Sequence, residues 1–221
     1  MIFFRMSARL SINKPPKFKD DKYRTVRTCL KTFAKAFKGV DQKVHFLLDR
    51  CGVDYLDLIK ELCPLEFTHE FSDYGHFNSI LKLYNLAQET KDDTIFFIED
   101  DYLWREGSGE RFVKAVKELG IVSPYDNPDF YNVEPYKSRR EQITVLDGWH
   151  WRTTQSTTMT FGITKELFMK HRKKFDYHGP SDSPLWVDVN EPIWIPIPSL
   201  ATHFVEVKLA PSVDWGQYYN D

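Results

Sequence analysis

Three consecutive acids, Glu99, Asp100 and Asp101, follow directly after the apolar segment TIFFI. Like charges at the end of a buried strand repel one another unless a positive group lies against them. In an extended chain Glu99 and Asp101 project to one side and Asp100 to the other. Carboxylates suit Mg²⁺ or Mn²⁺, and an ion held by one or two of them completes its shell with water and substrate phosphates. The triplet therefore favours a metal–diphosphate site over the alternative, a solvated loop with helix-capping acids.

Further candidate ligands lie near the ends of other predicted strands. Asp49 ends the apolar segment VHFLLD, and the glycine-led turn Gly75, His76, Phe77, Asn78 and Ser79 opens a predicted helix. Glycine permits close backbone approach, and a helix N-terminus favours anions. His203 is a further candidate metal ligand. The alternatives are an ordinary turn for the glycine segment and a structural role for the histidine.

Strands and helices alternate in the first half of the chain. Apolar strands are predicted at Ile2 to Phe4, VHFLLD, LEFTHEF and TIFFI, with helices between them, and a further helix, SGERFVKAVKELG, ends at Gly120. This order predicts a parallel, doubly wound sheet. Ligands bind outside the carboxyl ends of the strands in such sheets, where the acids lie.

The second half has a different pattern. ITVLDGWHW and STTMTFGIT are predicted as paired strands and KELFMKHRKKF as one helix. The tail from Glu191 has four prolines and little periodicity, so we expect an irregular segment. The predicted fold is α/β: a single domain over residues 1–221 with a mainly parallel central sheet, flanking helices and an irregular C-terminal segment.

Composition excludes several classes of function. The 30 basic and 32 acidic residues nearly balance, so bulk charge predicts neither nucleic-acid nor membrane binding. No segment reaches the roughly 18–20 apolar residues of a membrane span. Cys29, Cys51 and Cys63 form no CxxC pair and are expected to be reduced thiols, which together with the absence of a signal sequence predicts a cytoplasmic protein.

An ordered series of segments resembles one enzyme family. It comprises FRMSARL, HFLLDRCG, GHFNSILKLYNLA, IEDDYLWREG, SPYDNPDFY, HWRTTQSTTMTF and PIPSLATHFVEVKLAPSVDW. These segments cover most of the chain and look like those of small GT-A-fold, nucleotide-sugar-dependent glycosyltransferases, with Glu99-Asp100-Asp101 as the DxD-type motif. The chain also resembles the capsid-glycan transferases of large algal viruses, which for a viral enzyme implies the host cytoplasm.

The resemblance implies a sugar-nucleotide donor, most often a UDP-sugar such as UDP-glucose, with Mn²⁺ or Mg²⁺ on its diphosphate. Asp101 would be the principal metal ligand and a catalytic residue, with His203 as the second ligand. Glu99 or Asp100 would face the ribose or the sugar, although a strict DxD motif has aspartate first and the role of Glu99 is open. Arg5, Asp49 and the Gly75–Ser79 turn would surround the nucleoside. Residues 1–105 would form the nucleotide-binding half and 106–221 the acceptor-side half.

The acceptor side has its own candidates. Asp182, in GPSDSPLW, corresponds to the position of the general base in inverting relatives; the alternative is a turn between Pro180 and Pro184, so inversion and retention both stay open. Aromatic faces pack on the C–H surfaces of sugars, and four residues are predicted to contact sugar: Trp149, His150, Trp151 and Trp186. For His150 a packed hairpin is the alternative.

The predicted function is transfer of a sugar to a glycan or protein-linked glycan. One alternative is a metal-dependent phosphoesterase or nuclease, but such sites usually need acidic ligands for two ions, and only one cluster is visible. Another is a non-catalytic carbohydrate-binding module, which has no need of three acids at a strand end.

Overall fold

The computed structural model describes residues 1–10, 13–134, 136–138 and 140–220. The strands are β1 (Ile2–Ser7), β2 (Val44–Asp49), β3 (Phe67–Ser72), β4 (Thr94–Glu99), β5 (Tyr102–Trp104), β6 (Ile121–Val122), β7 (Ile143–Leu146), β8 (Trp149–Thr154), β9 (Phe161–Thr164), β10 (Ile193–Ile197) and β11 (Ala201–His203). The helices are α1 (Lys22–Ala36), α2 (Val53–Leu62), α3 (Gly75–Glu89), α4 (Ser108–Leu119), α5 (Asp129–Asn132), α6 (Lys165–Lys170), α7 (Arg172–His178) and α8 (Asp182–Val189). Short 3₁₀ helices lie at Tyr136–Ser138 and Trp215–Tyr218.

A nine-stranded sheet in the order β3-β2-β1-β4-β9-β6-β10-β8-β7 runs through the molecule. The first four strands in this order are parallel, as the alternation of strands and helices predicts. Strands β8 and β9 run against their neighbours, while the other seven share one direction. Strand β1 is in register with both neighbours, with Ser7 opposite Asp49 and Arg5 opposite Glu99, so the acids that end β2 and β4 lie along one edge of the sheet.

The position of β9 differs from the prediction. The segment ITVLDGWHW folds on itself as the β7–β8 hairpin, and β9 instead pairs antiparallel with β4 and β6 in the centre of the sheet. Gly162 allows this insertion because a Cβ at that position would contact Val116 and lie 2.9 Å from Phe96 Cδ1. The predicted pairing of STTMTFGIT with ITVLDGWHW is therefore wrong.

The tail is more regular than its prolines predict. Proline lacks the N–H that a central strand uses, and Pro196 lies in β10 opposite Trp151 of β8, beyond Ile193 and Trp194, the two residues that pair with β6. Pro196 therefore lies where β10 has no β6 partner, a position that proline tolerates in a sheet, and the alternating Ile193 and Ile195 are fully buried. A second tail strand, β11, pairs with β5.

The predicted helix KELFMKHRKKF is divided into α6 and α7 at His171. The His171 ring Nε2 lies 3.0 Å from Glu191 Oε1.

Side chains of successive residues point to opposite faces of the sheet, and each face packs under its own helices. Phe4 and Phe96 belong to the apolar cluster beneath α1, α2 and α4. Phe3 and Phe97 belong to the cluster beneath α3, α6, α7 and α8. With both faces covered, the strand ends are held in fixed relative positions, which is what a site built on them requires.

None of the helices in the described part of the chain has the length and apolar character that a membrane crossing requires.

Candidate active site

Asp100 is the structural member of the acid triplet. Its Oδ2 accepts a hydrogen bond from the backbone N–H of Ser7 at 2.7 Å, and its Oδ1 accepts one from Lys22 Nζ at 2.7 Å. Burial alone would lower the pKa of Lys22, but Asp100 and Asp101 outweigh it and the pKa is raised. Both carboxylate oxygens of Asp100 thus join the end of β1 to the start of α1. This argues against the predicted contact between Asp100 and the donor.

Asp101 pairs with His203, the predicted second metal ligand. The antiparallel pairing of β5 with β11 sets Tyr102 opposite His203, and the two rings stack with their centroids 5.0 Å apart. His203 Nε2 lies 3.1 Å from Asp101 Oδ2. Burial would raise the pKa of Asp101, but His203 and Lys22 hold it well below its usual range. Burial would lower the pKa of His203, but Asp101 raises it.

The Asp101–His203 pair fits a divalent ion. Asp101 Oδ1 is buried and makes no hydrogen bond with any residue that the structure describes. Such an oxygen needs a partner, and a cation would supply one. Within the described ranges no group of three or more His, Cys, Asp or Glu side chains could hold a metal ion. The protein would therefore offer about two ligands, leaving the other positions to water and substrate oxygens.

Arg5 lies between the ends of three strands. Its Nε donates to Ser79 Oγ at 2.6 Å, its Nη2 is 4.0 Å from Asp49 Oδ2, and its Nη1 is 3.8 Å from Glu99 Oε1. Burial, with the nearby charge of Asp101, raises the pKa of Glu99 despite Arg5. Four residues that the sequence assigned to the nucleoside side therefore meet in one place, where they bind one another.

The start of α3 is already occupied by a carboxylate. Asp49 Oδ1 accepts the backbone N–H groups of Tyr74 at 2.8 Å and Gly75 at 3.1 Å. Gly75 has φ +73°, which glycine adopts without strain. His76 and Asn78 are exposed on the first turn. Asp49 thus occupies the position predicted for a ligand anion.

Asp182 lies at the start of α8, on a cleft beside the triplet. Burial raises its pKa to about 6, although His203 acts in the opposite direction. The cleft has a volume of about 230 Å³ and mostly hydroxyl-bearing, carboxylate and aromatic walls: Tyr125, Asn127, Asp129, Phe130, Tyr136, Ser156, Thr157, Thr158, Asp182 and Ser183. Tyr102 donates to Thr158 Oγ1 at 2.7 Å, which connects the cleft wall to the triplet.

Most of this cleft was missed in the sequence. The signal was present in two quoted segments, SPYDNPDFY and QSTTMTF, both rich in hydroxyl and aromatic side chains. A buried ion pair holds the segment SPYDNPDFY in place. Arg152 Nη2 donates to Asp126 Oδ1 at 2.9 Å, and Tyr131 donates to Asp126 Oδ2 at 2.7 Å. Thr157 Oγ1 is buried without a hydrogen bond to the described residues, so the cleft wall has a free polar group.

The four predicted sugar-contact residues do not line the cleft in the described structure. Trp151 and Trp186 are 0% and 2% exposed and pack in the core. Trp149 is half-buried with Arg111 4.1 Å from its ring centroid, and His150 is exposed on the β7–β8 hairpin. The structure thus argues against a sugar platform formed by these residues, because aromatic identity does not determine which rings are buried.

Similar solved structures have a related fold at low identity. The 1–349 fragment of TarS from S. aureus aligns with a TM-score of 0.53 and 10% identity over 88% of this chain and 57% of its own. The 4-diphosphocytidyl-2C-methyl-D-erythritol synthase from Anaerococcus prevotii gives 0.52 and 11% over 88% and 86%. A197 from STIV gives 0.50 and 13% over 96% and 91%.

The predicted GT-A-like α/β fold is confirmed by this likeness. This chain spans less than two thirds of the TarS fragment. No protein-family model matches the sequence, and no curated protein sequence matches it. At these identities the similarity concerns the fold alone.

Proposed function

We propose that this protein is a metal-dependent glycosyltransferase that moves a sugar from a UDP-sugar to a neutral sugar unit of a glycan. The observation that carries the proposal is the position of the Asp101–His203 pair, with its free buried oxygen, beside a cleft that bears Asp182. The GT-A-like fold adds support, since TarS is a glycosyltransferase of the GT-A type.

On the donor side, Asp101 and His203 would hold Mn²⁺ or Mg²⁺. A bound divalent ion supplies charge neutralisation for the nucleoside diphosphate as it leaves. The protein contributes further positive charge through Arg5, which is 9% exposed and anchored to Ser79. Because Arg5 is fixed by β1, β2 and α3 together, it is preorganised at the same strand ends.

On the acceptor side, the cleft favours a neutral, hydroxyl-rich ligand. No lysine or arginine among the described residues lines it, so an acidic sugar would find no cation there. The hydroxyls of Ser156, Thr157 and Thr158 can exchange hydrogen bonds with sugar hydroxyls, and the rings of Tyr125 and Tyr136 offer apolar surface.

Asp182 is the residue we assign to the acceptor proton. With a pKa of about 6, its carboxyl is mostly ionised at neutral pH and can accept a proton from an acceptor hydroxyl. Its partial burial limits the access of water, which strengthens its interaction with a bound hydroxyl.

Calorimetric titration of UDP with and without Mn²⁺ tests the donor site, with CMP and GDP as nucleotide controls. We expect UDP to bind in a metal-dependent manner, and we expect Asp101→Asn to remove that dependence while keeping a similar shape. Asp188→Asn, on α8, is a matched control that should bind UDP as wild type does. UDP binding that is equal with and without Mn²⁺, or normal in Asp101→Asn, would contradict the donor-site assignment.

A screen of UDP-sugars, beginning with UDP-glucose, then identifies the sugar through slow hydrolysis or transfer to added oligosaccharides. Transfer that is lost in Asp101→Asn distinguishes an enzyme from a sugar-binding module. Cleavage of a simple phosphodiester without any transfer would favour the phosphoesterase alternative.

A further inference from the structure

A second cavity lies on the outer side of α1, and we propose that it binds a small anionic ligand with a phosphate or carboxylate group. Its volume is about 210 Å³, and its walls come from α1, the end of β5 and the 3₁₀ helix Trp215–Tyr218. This size suits a ligand no larger than about one sugar ring, because pockets for drug-sized molecules are ~300–1,000 Å³.

Two lysines supply positive charge to this cavity. Lys31 and Lys35 are four residues apart on α1, so their side chains lie on the same face one turn apart. Neither forms an ion pair or hydrogen bond with the residues that the structure describes, whereas Lys22 on the same helix pairs with Asp100. Like charges at this spacing repel, and an anion between them would relieve the repulsion.

Trp104 supplies a hydrogen-bond donor. It lines the cavity and is 1% exposed, yet its indole Nε1 makes no hydrogen bond within the described ranges. A buried N–H without an acceptor is unfavourable, so this group lacks a partner that a ligand oxygen would provide.

The lysine ammonium groups and the indole N–H only donate hydrogen bonds, so together they require a ligand rich in acceptors. The two threonines of the cavity wall have other partners: Thr32 Oγ1 donates to Cys29 O and accepts the Trp104 backbone N–H, and Thr28 Oγ1 donates to Arg24 O. Glu106 is the one acidic residue among the described lining residues, so two lysines leave the walls with net positive charge. A phosphate or carboxylate satisfies both the charge and the donors.

This cavity is separate from the acid triplet. Lys31 follows Lys22 by nine residues, which is about 14 Å along a helix, and Lys22 is the α1 residue that contacts Asp100. Strand β5 likewise begins at Tyr102, beside His203, and ends at Trp104 in the cavity wall. The proposal therefore does not depend on the proposed transferase function.

The Trp104 indole N–H signal in a ¹H–¹⁵N NMR spectrum is a direct readout, assigned by its absence in Trp104→Phe. The full chain, freed of metal beforehand on a chelating resin, is titrated separately with inorganic phosphate, glucuronate and glucose. We expect phosphate or glucuronate to shift this signal saturably and glucose to leave it unmoved. Phosphate alone would indicate a phosphorylated ligand, and glucuronate alone a carboxylated sugar.

Charge removal tests the lysines. Each lysine-to-alanine change should weaken anion binding by about tenfold, so Lys31→Ala/Lys35→Ala should weaken it by roughly a hundredfold. Lys38→Ala is the matched control, since Lys38 is exposed just after α1 and does not line the cavity. Because all three lysines are exposed, these variants should fold.

The proposal is overturned if neither anion shifts the Trp104 signal, or if glucose shifts it as strongly. It is also overturned if the double lysine variant binds the anion as tightly as Lys38→Ala does. UDP binding with Mn²⁺, measured in the same variants, reports on the donor site independently and should be unchanged.

Discussion

Neutralising Asp182 is expected to increase stability and to reduce sugar transfer. The pKa of this carboxyl is raised from 3.8 to about 6, chiefly by burial. Since the folded-state pKa is the higher one, the favourable contribution is complete below about pH 4 and is lost as the pH rises through about 6. A pKa shift of about two units corresponds to ~3 kcal/mol in the free energy of unfolding. Because the side chain keeps partial contact with solvent, we expect Asp182→Asn to gain about 1–3 kcal/mol at pH 8.

Thermal unfolding measures the stability effect. For a chain of this size the gain corresponds to a rise of about 2–12 °C in Tm at pH 8, and it should shrink at pH 5, where wild-type Asp182 is mostly protonated. Asp188→Asn is the matched control on the same helix. Asp188 lies 3.0 Å from His178 Nε2 and its pKa is lowered, so its neutralisation should give no gain.

The rate of transfer measures the catalytic effect. Loss of a general base reduces rates by about 10²–10⁴-fold, so kcat for Asp182→Asn should fall within that range. The affinity of Asp182→Asn for UDP should equal that of the wild type, because Asp182 lies on the cleft and not in the Asp101–His203 pair. Wild-type kcat/KM should decline about tenfold per pH unit below pH ~6. A wild-type rate in Asp182→Asn would refute the base assignment; unchanged stability at pH 8 would refute the burial of an ionised carboxyl.

Three further substitutions test the surroundings of the site. Lys22→Met leaves the buried Asp100 without its cation and should lower the free energy of unfolding by about 3–5 kcal/mol, measured by urea titration. The control Lys43→Met removes the exposed Lys43–Glu66 pair and should change this free energy little. Gly162→Ala should cost about 1–3 kcal/mol by the same measurement, because the new Cβ has no room beside Phe96. Arg152→Met should raise KM for the acceptor more than for the donor, since it leaves Asp126 unpaired behind the cleft; an equal effect on both would contradict that role.

The parallel half of the fold is largely predictable from local sequence. The segment VHFLLD coincides with β2, Val44–Asp49, and the predicted helix that ends at Gly120 is α4. Each of these elements has its own apolar periodicity and its own terminating residue. The parallel pairing of β1 to β4 agrees with a helix between each strand and the next, because parallel strands need a crossover connection of this kind.

Long-range pairing was not predictable in the same way. Strand β9 was placed next to the hairpin because the two segments are neighbours in the chain, but its partners are β4 and β6. The decisive feature is the absence of a side chain at Gly162, and its effect depends on Phe96 and Val116 from other elements. Prolines likewise concealed β10, since the local sequence does not show that Pro196 lies beyond the part of the strand that pairs with β6.

The candidate site was predictable as a need for positive charge, but not in its partners. Three acids in a row indicated that cations lie nearby. The sequence could not show that Lys22 binds Asp100 or that Arg5 approaches Glu99, because those contacts depend on how β1 and α1 lie beside β4. His203 was a candidate metal ligand both from its sequence context and through the family resemblance; the structure brings it to Asp101, and its metal-binding role stays a prediction.

The cationic side chains near the acid triplet weaken the argument that its charge requires a metal ion. Since the three acids already have Arg5, Lys22 and His203 beside them, their charge alone does not require a metal. The feature that these partners leave unexplained is Asp101 Oδ1, which is buried without a hydrogen bond in the described structure. An asparagine in place of Asp101 would keep one oxygen for the contact with His203, and its NH₂ group would replace the second oxygen. A carboxylate there instead offers a second anionic oxygen, and that is the group a divalent ion would bind.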